Sequence, residues 1–407
     1  MRQSQREITS DLLRRVIATA TLDGYLNRTI KEGKLPLSML TYKQLALGHP
    51  VIMNLDLMIE NTCGKNCNHC FFPTSTSQVV SVQEIENWIT TNSERGNLFL
   101  YPREITAIPE LLPLYAEIGQ TKLITHAYQL TPEMIDLFKK HGITTIMVGL
   151  HGDIDAHCAI TNTSPEKYYT LLNKIKMAAK AGLTVETFFV AYSKNFFQVA
   201  KTAMLAYDLG VKQMRFLTLM PIGKALTLPD DWYLNEDQFQ YFIVRVAQSR
   251  EKYSPKEIYL KFDAQLGPNF FSNGIYSFFA NHSTEKIDMG FQSTFFCPAV
   301  RSQFLATHWP SGKIFPCFTL TGNQEHSIGN IQTGIEAAIA NNYLAVPNLD
   351  RKLQGKCSPS ACPFNPICMG GCRTMAYLTA KKRGDPHPEL TEMPLCLTRS
   401  LLQMLNV

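Results

Sequence analysis

Between Val51 and Ala225 short apolar runs alternate with longer stretches in which apolar residues return every three or four positions. Val51-Ile52-Met53-Asn54-Leu55-Asp56-Leu57-Met58-Ile59 predicts a first strand, and Ser81-Val82-Gln83-Glu84 a capping box opening a helix that ends by Gly96. Leu98-Phe99-Leu100-Tyr101 predicts a second strand and Lys122-Leu123-Ile124-Thr125 a third. The helix that follows takes Thr131 as its cap and Pro132 as its first residue, and stops near Gly142. The layout then repeats. A strand over residues 144–150 precedes a helix from Ser164-Pro165 to Gly182; a strand over 184–190 precedes a helix from Asn195 to Gly210; residues 213–219 form a sixth strand. Alternation at this spacing means parallel β/α units, in a barrel or a doubly wound sheet, and in both the functional loops follow the strand C-termini.

The pattern loosens from about Pro229. Residues 257–262 are strand-like, and beyond Gly290 the chain is short elements, glycines, prolines and cysteines, a composition that suits a small metal-held domain. Residues 1–50 are polar and helix-prone. Three regions are therefore expected: an N-terminal helical extension (1–50), a β/α region (51–285) and a cysteine-rich region (286–407).

Composition narrows the classes. The chain has 407 residues, 45% hydrophobic and 18% charged, which is ordinary for a folded protein. A net charge of +5 is too mild to imply nucleic acid, and no apolar run reaches membrane-spanning length. The polar N-terminus lacks a secretory signal, so a cytoplasmic location is expected. Eleven cysteines in a reducing compartment point to metal binding or catalysis rather than disulfides.

The first group is Cys63-x3-Cys67-x2-Cys70, in the loop after the first strand. Thiolates select iron–sulfur clusters or zinc. A closed zinc site wants four ligands, whereas three cysteines leave one iron of a cubane cluster open to substrate or cofactor. This motif resembles that of the radical S-adenosylmethionine (SAM) superfamily, Cys-x3-Cys-x-aromatic-Cys, with His69 in the aromatic slot. The resemblance implies a partial (β/α)6 TIM-type barrel and a [4Fe-4S] cluster whose open iron is chelated by the methionine moiety of SAM. It also implies reductive cleavage to a 5′-deoxyadenosyl radical, fed by an electron donor such as flavodoxin or ferredoxin. The family's Gly-Gly-Glu after the second strand reads here Tyr101-Pro102-Arg103-Glu104. Only Glu104 survives as a cofactor-binding candidate beside His69, and Pro102 has no N–H to donate. Pro221-Ile222-Gly223-Lys224-Ala225 is similar to a Pro-x-Gly-x-Ala turn of the peptide-modifying branches.

The tail carries Cys297, then Gly312-x4-Cys317, then Cys357-x4-Cys362-x5-Cys368-x3-Cys372 and Cys396. This resembles the SPASM domain, with one gap two residues longer than usual, and Ser327-Ile328-Gly329-Asn330-Ile331 is similar to its Leu-Gly-Asn-Ile turn. The resemblance implies two auxiliary [4Fe-4S] clusters: one on Cys357, Cys362, Cys368 and Cys396, the other on Cys297, Cys317 and Cys372. Two zinc sites are the rival reading, and they need His308 or His326 to complete the ligand count.

Cys158, on the loop expected after the fourth strand, is either a small buried hydrophobe or a hydrogen-atom donor to a substrate radical. His126 and His151 lie near strand ends within reach of a cofactor, although satisfied structural histidines are commoner. Asn195 is expected as a helix cap, Phe188 and Phe189 as core, and Lys381-Lys382-Arg383 as a solvated turn.

The expected substrate is a peptide or protein, in the maturation of a ribosomally made natural product. The fifty residues before the first strand are too few for a leader-binding winged helix, so leader recognition would use a separate partner or those residues. A sulfatase-maturating dehydrogenase usually places an Asp base after the Cys of Gly-x4-Cys; here that residue is Phe318. A small-molecule or cofactor-precursor substrate stays open, as does a non-enzymatic iron–sulfur carrier or zinc-stabilised protein. A pure carrier has no use for an unligated iron.

Overall fold

A computed structural model describes residues 53–59, 63–72, 81–92, 96–253, 257–262, 304–321, 323–335, 338, 372–388 and 391–396. The expected extension over 1–50, and Cys297, Cys357, Cys362 and Cys368, lie outside the described residues.

The chain runs β1 (Met53–Ile59), α1 (Val82–Asn92), β2 (Gly96–Pro102), α2 (Leu112–Glu117), β3 (Lys122–Ile124), α3 (Pro132–Lys140), β4 (Thr145–Gly149), α4 (Ile154–Thr161) and α5 (Pro165–Lys180). It continues through β5 (Thr184–Ala191), α6 (Val199–Asp208), β6 (Gln213–Thr218), α7 (Glu236–Lys252) and β7 (Tyr259–Phe262). Last come β8 (Phe304–His308), β9 (Lys313–Phe315), β10 (Gly329–Asn330) and α8 (Arg373–Lys382). Among the described residues these strands make two five-stranded sheets, ordered β10-β9-β8-β1-β2 and β3-β4-β5-β6-β7. Pairing is parallel except where β9 meets β8 and β10. Strands β1 to β6 in succession, with helices between them, form the partial TIM-type barrel.

Local chemistry explains the elements. Thr131 caps α3 by accepting from the Met134 N–H, with Pro132 at the first helical position. Asp153 caps α4 through the Ala156 N–H, and the helix stops at Asn162 in the left-handed region, φ +52°. The expected loop after the fourth strand is this helix, and Cys158 sits on it half-buried rather than as a fully buried hydrophobe. The stretch where the pattern loosened holds the long helix α7, opened by a reciprocal capping box between Asn235 and Gln238.

Strands β2 and β3 do not hydrogen-bond to each other. One side chain closes the seam. Gln120 accepts from the Leu100 N–H at 2.7 Å and donates to the carbonyls of Leu100 at 3.1 Å and Lys122 at 2.9 Å. Its amide stands in for a missing peptide of the ladder, and Tyr115 adds a hydroxyl donor to the Leu100 carbonyl at 3.0 Å.

β8 pairs in parallel with β1, Leu55 opposite Leu305. The cysteine-rich part of the chain thus completes the sheet that bears the first cysteine loop. Lys381 and Lys382 are not a solvated turn. They end α8, where Lys382 pairs with Asp230 at 2.7 Å and lies over the Tyr233 ring, while Lys381 pairs with Glu325.

Candidate active site at the cysteine loop

Alternation along β1 separates two faces. Leu55, Leu57 and Ile59 enter the main core; Met58 packs with Phe72 and Ala306 in a smaller cluster bordered by Cys70, Phe71, Tyr101 and Phe318. Above that second face the chain turns into the loop of Cys63, Cys67 and Cys70.

The loop is tied to four parts of the barrel mouth. The Asn68 N–H donates to the Ile160 carbonyl at 2.8 Å, and its side-chain amide to Ala159 at 2.9 Å, anchoring it to the end of α4. The Lys224 N–H donates to the Cys70 carbonyl at 2.9 Å, and its ammonium holds the Asn66 side chain at 2.6 Å. Gly223, at φ +53°, lies so close that a Cβ there would stand 2.4 Å from the Cys70 carbonyl oxygen, so the Pro-x-Gly-x-Ala turn needs glycine at this position. From β3, His126 Nε2 lies 3.3 Å from the Cys63 carbonyl. From β2, Arg103 Nη2 donates to Cys70 Sγ at 3.8 Å.

Glu104, fully buried, organises the base of this arrangement. Its carboxylate accepts from the hydroxyls of Thr125 at 2.6 Å and Thr106 at 2.7 Å, and from the N–H groups of Thr106 at 3.0 Å and His126 at 2.8 Å. It joins the ends of β2 and β3 and works against thiolate at Cys63. Burial and Glu104 push the Cys63 thiol up to about 11. Burial, then the neighbouring Cys70 and Cys63, push Cys67 up to about 12.

The donor set suits a polynuclear cluster better than a single ion. Among the described residues no three His, Cys, Asp or Glu side chains converge on one position, as zinc with its ~2.3 Å bonds to sulfur requires. The three cysteines share one loop closely enough to repel one another as thiolates. A cubane takes one thiolate per iron and tolerates that spread.

Beneath the loop lies a column of imidazoles. His69 has Nδ1 3.2 Å from the Ile160 carbonyl and meets His151 edge-on at 4.6 Å. His151 stacks on His157 at 5.4 Å, and the two are joined by the His151 N–H donating to His157 Nδ1 at 3.3 Å. Burial holds all three rings neutral, lowering His69 to about 4 and His157 to about 3. His151 also accepts from the Val190 N–H at 3.2 Å, so it serves the scaffold. Asn195 does not cap its helical turn with its side chain. It is fully buried, accepts from the Tyr192 N–H and donates to the carbonyls of His151 and Val190, stapling the ends of two strands.

Of the tail thiols, Cys317, Cys372 and Cys396 are described, all half-buried. Cys317 Sγ lies 3.1 Å from Thr319 Oγ1, and the next residue, Phe318, meets Phe71 edge-on at 6.0 Å, beside the first cysteine loop. Cys372 precedes α8, whose buried Arg373 donates to the Thr391 carbonyl at 2.7 Å. His308 has Nδ1 2.9 Å from Ser311 Oγ, and His326 packs on Tyr377 at 5.0 Å. The residues missed from sequence are the tethers Asn68 and Arg103 and the ring of His157. Lys224 was legible only as part of its turn.

Residues 58–195 match the family model of the radical SAM superfamily. The chain thus carries a radical SAM domain over those residues. It is accordingly an iron–sulfur enzyme that uses SAM. The chain is similar in fold to the Streptococcus suis protein SuiB bound to precursor peptide SuiA, with a TM-score of 0.63, 13% identity, and coverage of 87% of this chain and 78% of that one. It is similar to anSMEcpe with bound AdoMet at a TM-score of 0.59 and 13% identity, over 86% of this chain and 96% of that one. In sequence it is 24% identical over 360 residues to the AdoMet-dependent heme synthase of Methanosarcina barkeri, covering 83% of this chain and 94% of the relative. No described helix is long and apolar enough to cross a membrane.

Proposed function

We propose that this radical SAM enzyme holds its [4Fe-4S] cluster on Cys63, Cys67 and Cys70 and takes a hydrogen atom from a peptide substrate, in the maturation of a ribosomally made peptide. The observation that carries the reading is the three-thiol loop, tied by hydrogen bonds to the ends of β2, β3, α4 and β6. When bound, the cluster and SAM supply one electron and the 5′-deoxyadenosyl radical. The chain's own residues hold and orient. Lys224, Asn68 and His126 fix the loop backbone, and the imidazole of His69 borders the site. Glu104 spends its carboxylate on protein donors, so its part in binding SAM runs through the backbone it positions after β2.

Peptide substrates are supported by the fold likeness, since SuiB and anSMEcpe have both been solved with peptides. The apolar contact of Phe318 with Phe71 stands where a sulfatase-maturating enzyme needs an acidic base. The sequence similarity to a heme synthase over most of the chain favours one second reading, a small cofactor-precursor substrate. Two auxiliary clusters, on Cys357, Cys362, Cys368 and Cys396 and on Cys297, Cys317 and Cys372, belong to the proposal. So do a cytoplasmic flavodoxin- or ferredoxin-type donor and the division at residues 50 and 285. Cys158, half-buried on α4, is the candidate hydrogen-atom donor to the substrate radical, leaving a thiyl that one electron from the flavodoxin- or ferredoxin-type protein and one proton from solvent return to the thiol.

Anaerobically reconstituted protein given dithionite and SAM is expected to release 5′-deoxyadenosine, and Cys67→Ala to release none. A peptide encoded beside this gene should raise that release above background, and Cys158→Ala should change product yield or stereochemistry. Stimulation by a heme precursor but not by the peptide would select the second reading. Loaded protein that never yields 5′-deoxyadenosine would sink both.

A further inference from the structure

We propose that Arg103 is a positioning residue for the cluster: it gives Cys70 an N–H···S hydrogen bond and a positive charge, and so makes the cluster easier to reduce. This rests on the assignment of the cluster to Cys63, Cys67 and Cys70.

Arg103 stands where the resembled Gly-Gly-Glu motif has its second glycine, so this chain adds a cation at a place the motif leaves bare. The added side chain goes to the thiol. Its Nη2 lies 3.8 Å from Cys70 Sγ, within range of a hydrogen bond to sulfur. Its guanidinium lies 5.8 Å from the Phe72 ring centroid, a contact that orients the planar group. Both ends of the bond are pinned. The Arg103 N–H donates to the Ile59 carbonyl at 2.9 Å, fixing it to the end of β1. Cys70 is fixed by the Lys224 N–H on its carbonyl and by the close approach of Gly223. This is a preformed contact between two half-buried groups rather than the excursion of a surface arginine.

Reduction adds an electron to a group already ringed by three thiolates. The potentials of iron–sulfur clusters follow net charge, burial and hydrogen bonds to the sulfurs. Glu104, next in sequence, opposes negative charge at Cys63, whereas Arg103 favours it there. Lys65 and Lys224 are the other cations that favour thiolate, at Cys67. Lys65 reaches Cys63 through its backbone N–H, whereas Arg103 brings its charged side chain to a thiol of the trio, so its charge bears directly on the sulfur.

The test is a redox titration of the full-length, reconstituted protein, following by electron paramagnetic resonance the reduced-cluster signal that SAM perturbs. Arg103→Gln removes the charge, and Arg103→Lys keeps it while removing the planar fork. At one poised potential the ratio of reduced to oxidised cluster is expected to fall about tenfold in Arg103→Gln, equivalent to about 59 mV for one electron. Arg103→Lys should fall between that variant and the parent, with the KM for SAM little changed in both. Iron content reports loading. Should Arg103→Gln fail to load, Arg103→Lys decides: a lowered midpoint supports the proposal and an unchanged one overturns it. A parental midpoint in loaded Arg103→Gln overturns it too, and a raised KM for SAM beside it would make Arg103 a ligand of the cosubstrate. If the parent shows no signal that SAM perturbs, it is the cluster assignment that fails.

Discussion

The imidazole column shows what burial does to single residues here. His151 and His157 are each about 1% exposed and are held neutral because a charge there has neither water nor a counter-ion. Both pKa values lie below the ordinary 6.5. Unfolded chains therefore take up protons that the folded state refuses. The stability these rings contribute is complete above about pH 6.5 and is lost as pH falls through that value towards about 3, the folded value of His157. Asp56 has the opposite sign: burial raises its carboxyl well above 3.8, and its contribution is lost as pH rises from that value. Urea unfolding at pH 7.5 and pH 5 should show a lower midpoint at pH 5. The slope approaches about 1.4 kcal/mol per pH unit for each ring. His157→Gln should flatten that dependence, and an unchanged slope would mean the ring is solvated.

Among elements, the seam between β2 and β3 depends on one amide. Gln120→Leu keeps the volume and deletes three hydrogen bonds, leaving the Leu100 N–H without the acceptor Gln120 supplies. A loss of about 2–3 kcal/mol is expected, read as a lower urea midpoint, because a buried polar group without a partner loses its hydration uncompensated. Sequence periodicity located six strands and most of their helices because apolar spacing and caps such as Thr131-Pro132 act over a few residues. Helix α4 escaped notice because its eight residues follow a strand with only Asp153 to mark the start. Helix α7 escaped despite its Asn235–Gln238 box, because the short turns between it and β6 break the strand–helix rhythm. At the site the cysteine spacing was legible in full. Its tethers were not, since Asn68 to Ala159 and Lys224 to Asn66 are contacts that only the closed barrel creates.

At the scale of the whole molecule, the cysteine-rich tail cannot be cut away cleanly. β8 occupies one edge of β1, β9 and β10 follow outward, and α8 reaches back to Asp230. A chain ended at residue 285, where composition changes, would strip β1 of a five-residue ladder and Met58 of its neighbour Ala306. That truncation should aggregate or bind the dye ANS, and should lose iron at the first cysteine loop although all three ligands are present; a monomeric, iron-loaded product would contradict it. An exposed parallel edge has few other means of protection.

The pairing of β1 with β8 also sets a clock. Leu55 faces Leu305, and a ribosome needs on the order of ten to fifty seconds to make the intervening stretch at ordinary rates of synthesis. Throughout that interval the strand leading into the metal-binding loop has one flank bare. Iron delivered early would meet a half-built cradle. Loading is thus expected to follow release of the nascent chain, and strains slow in translation should accumulate this enzyme in its metal-free form.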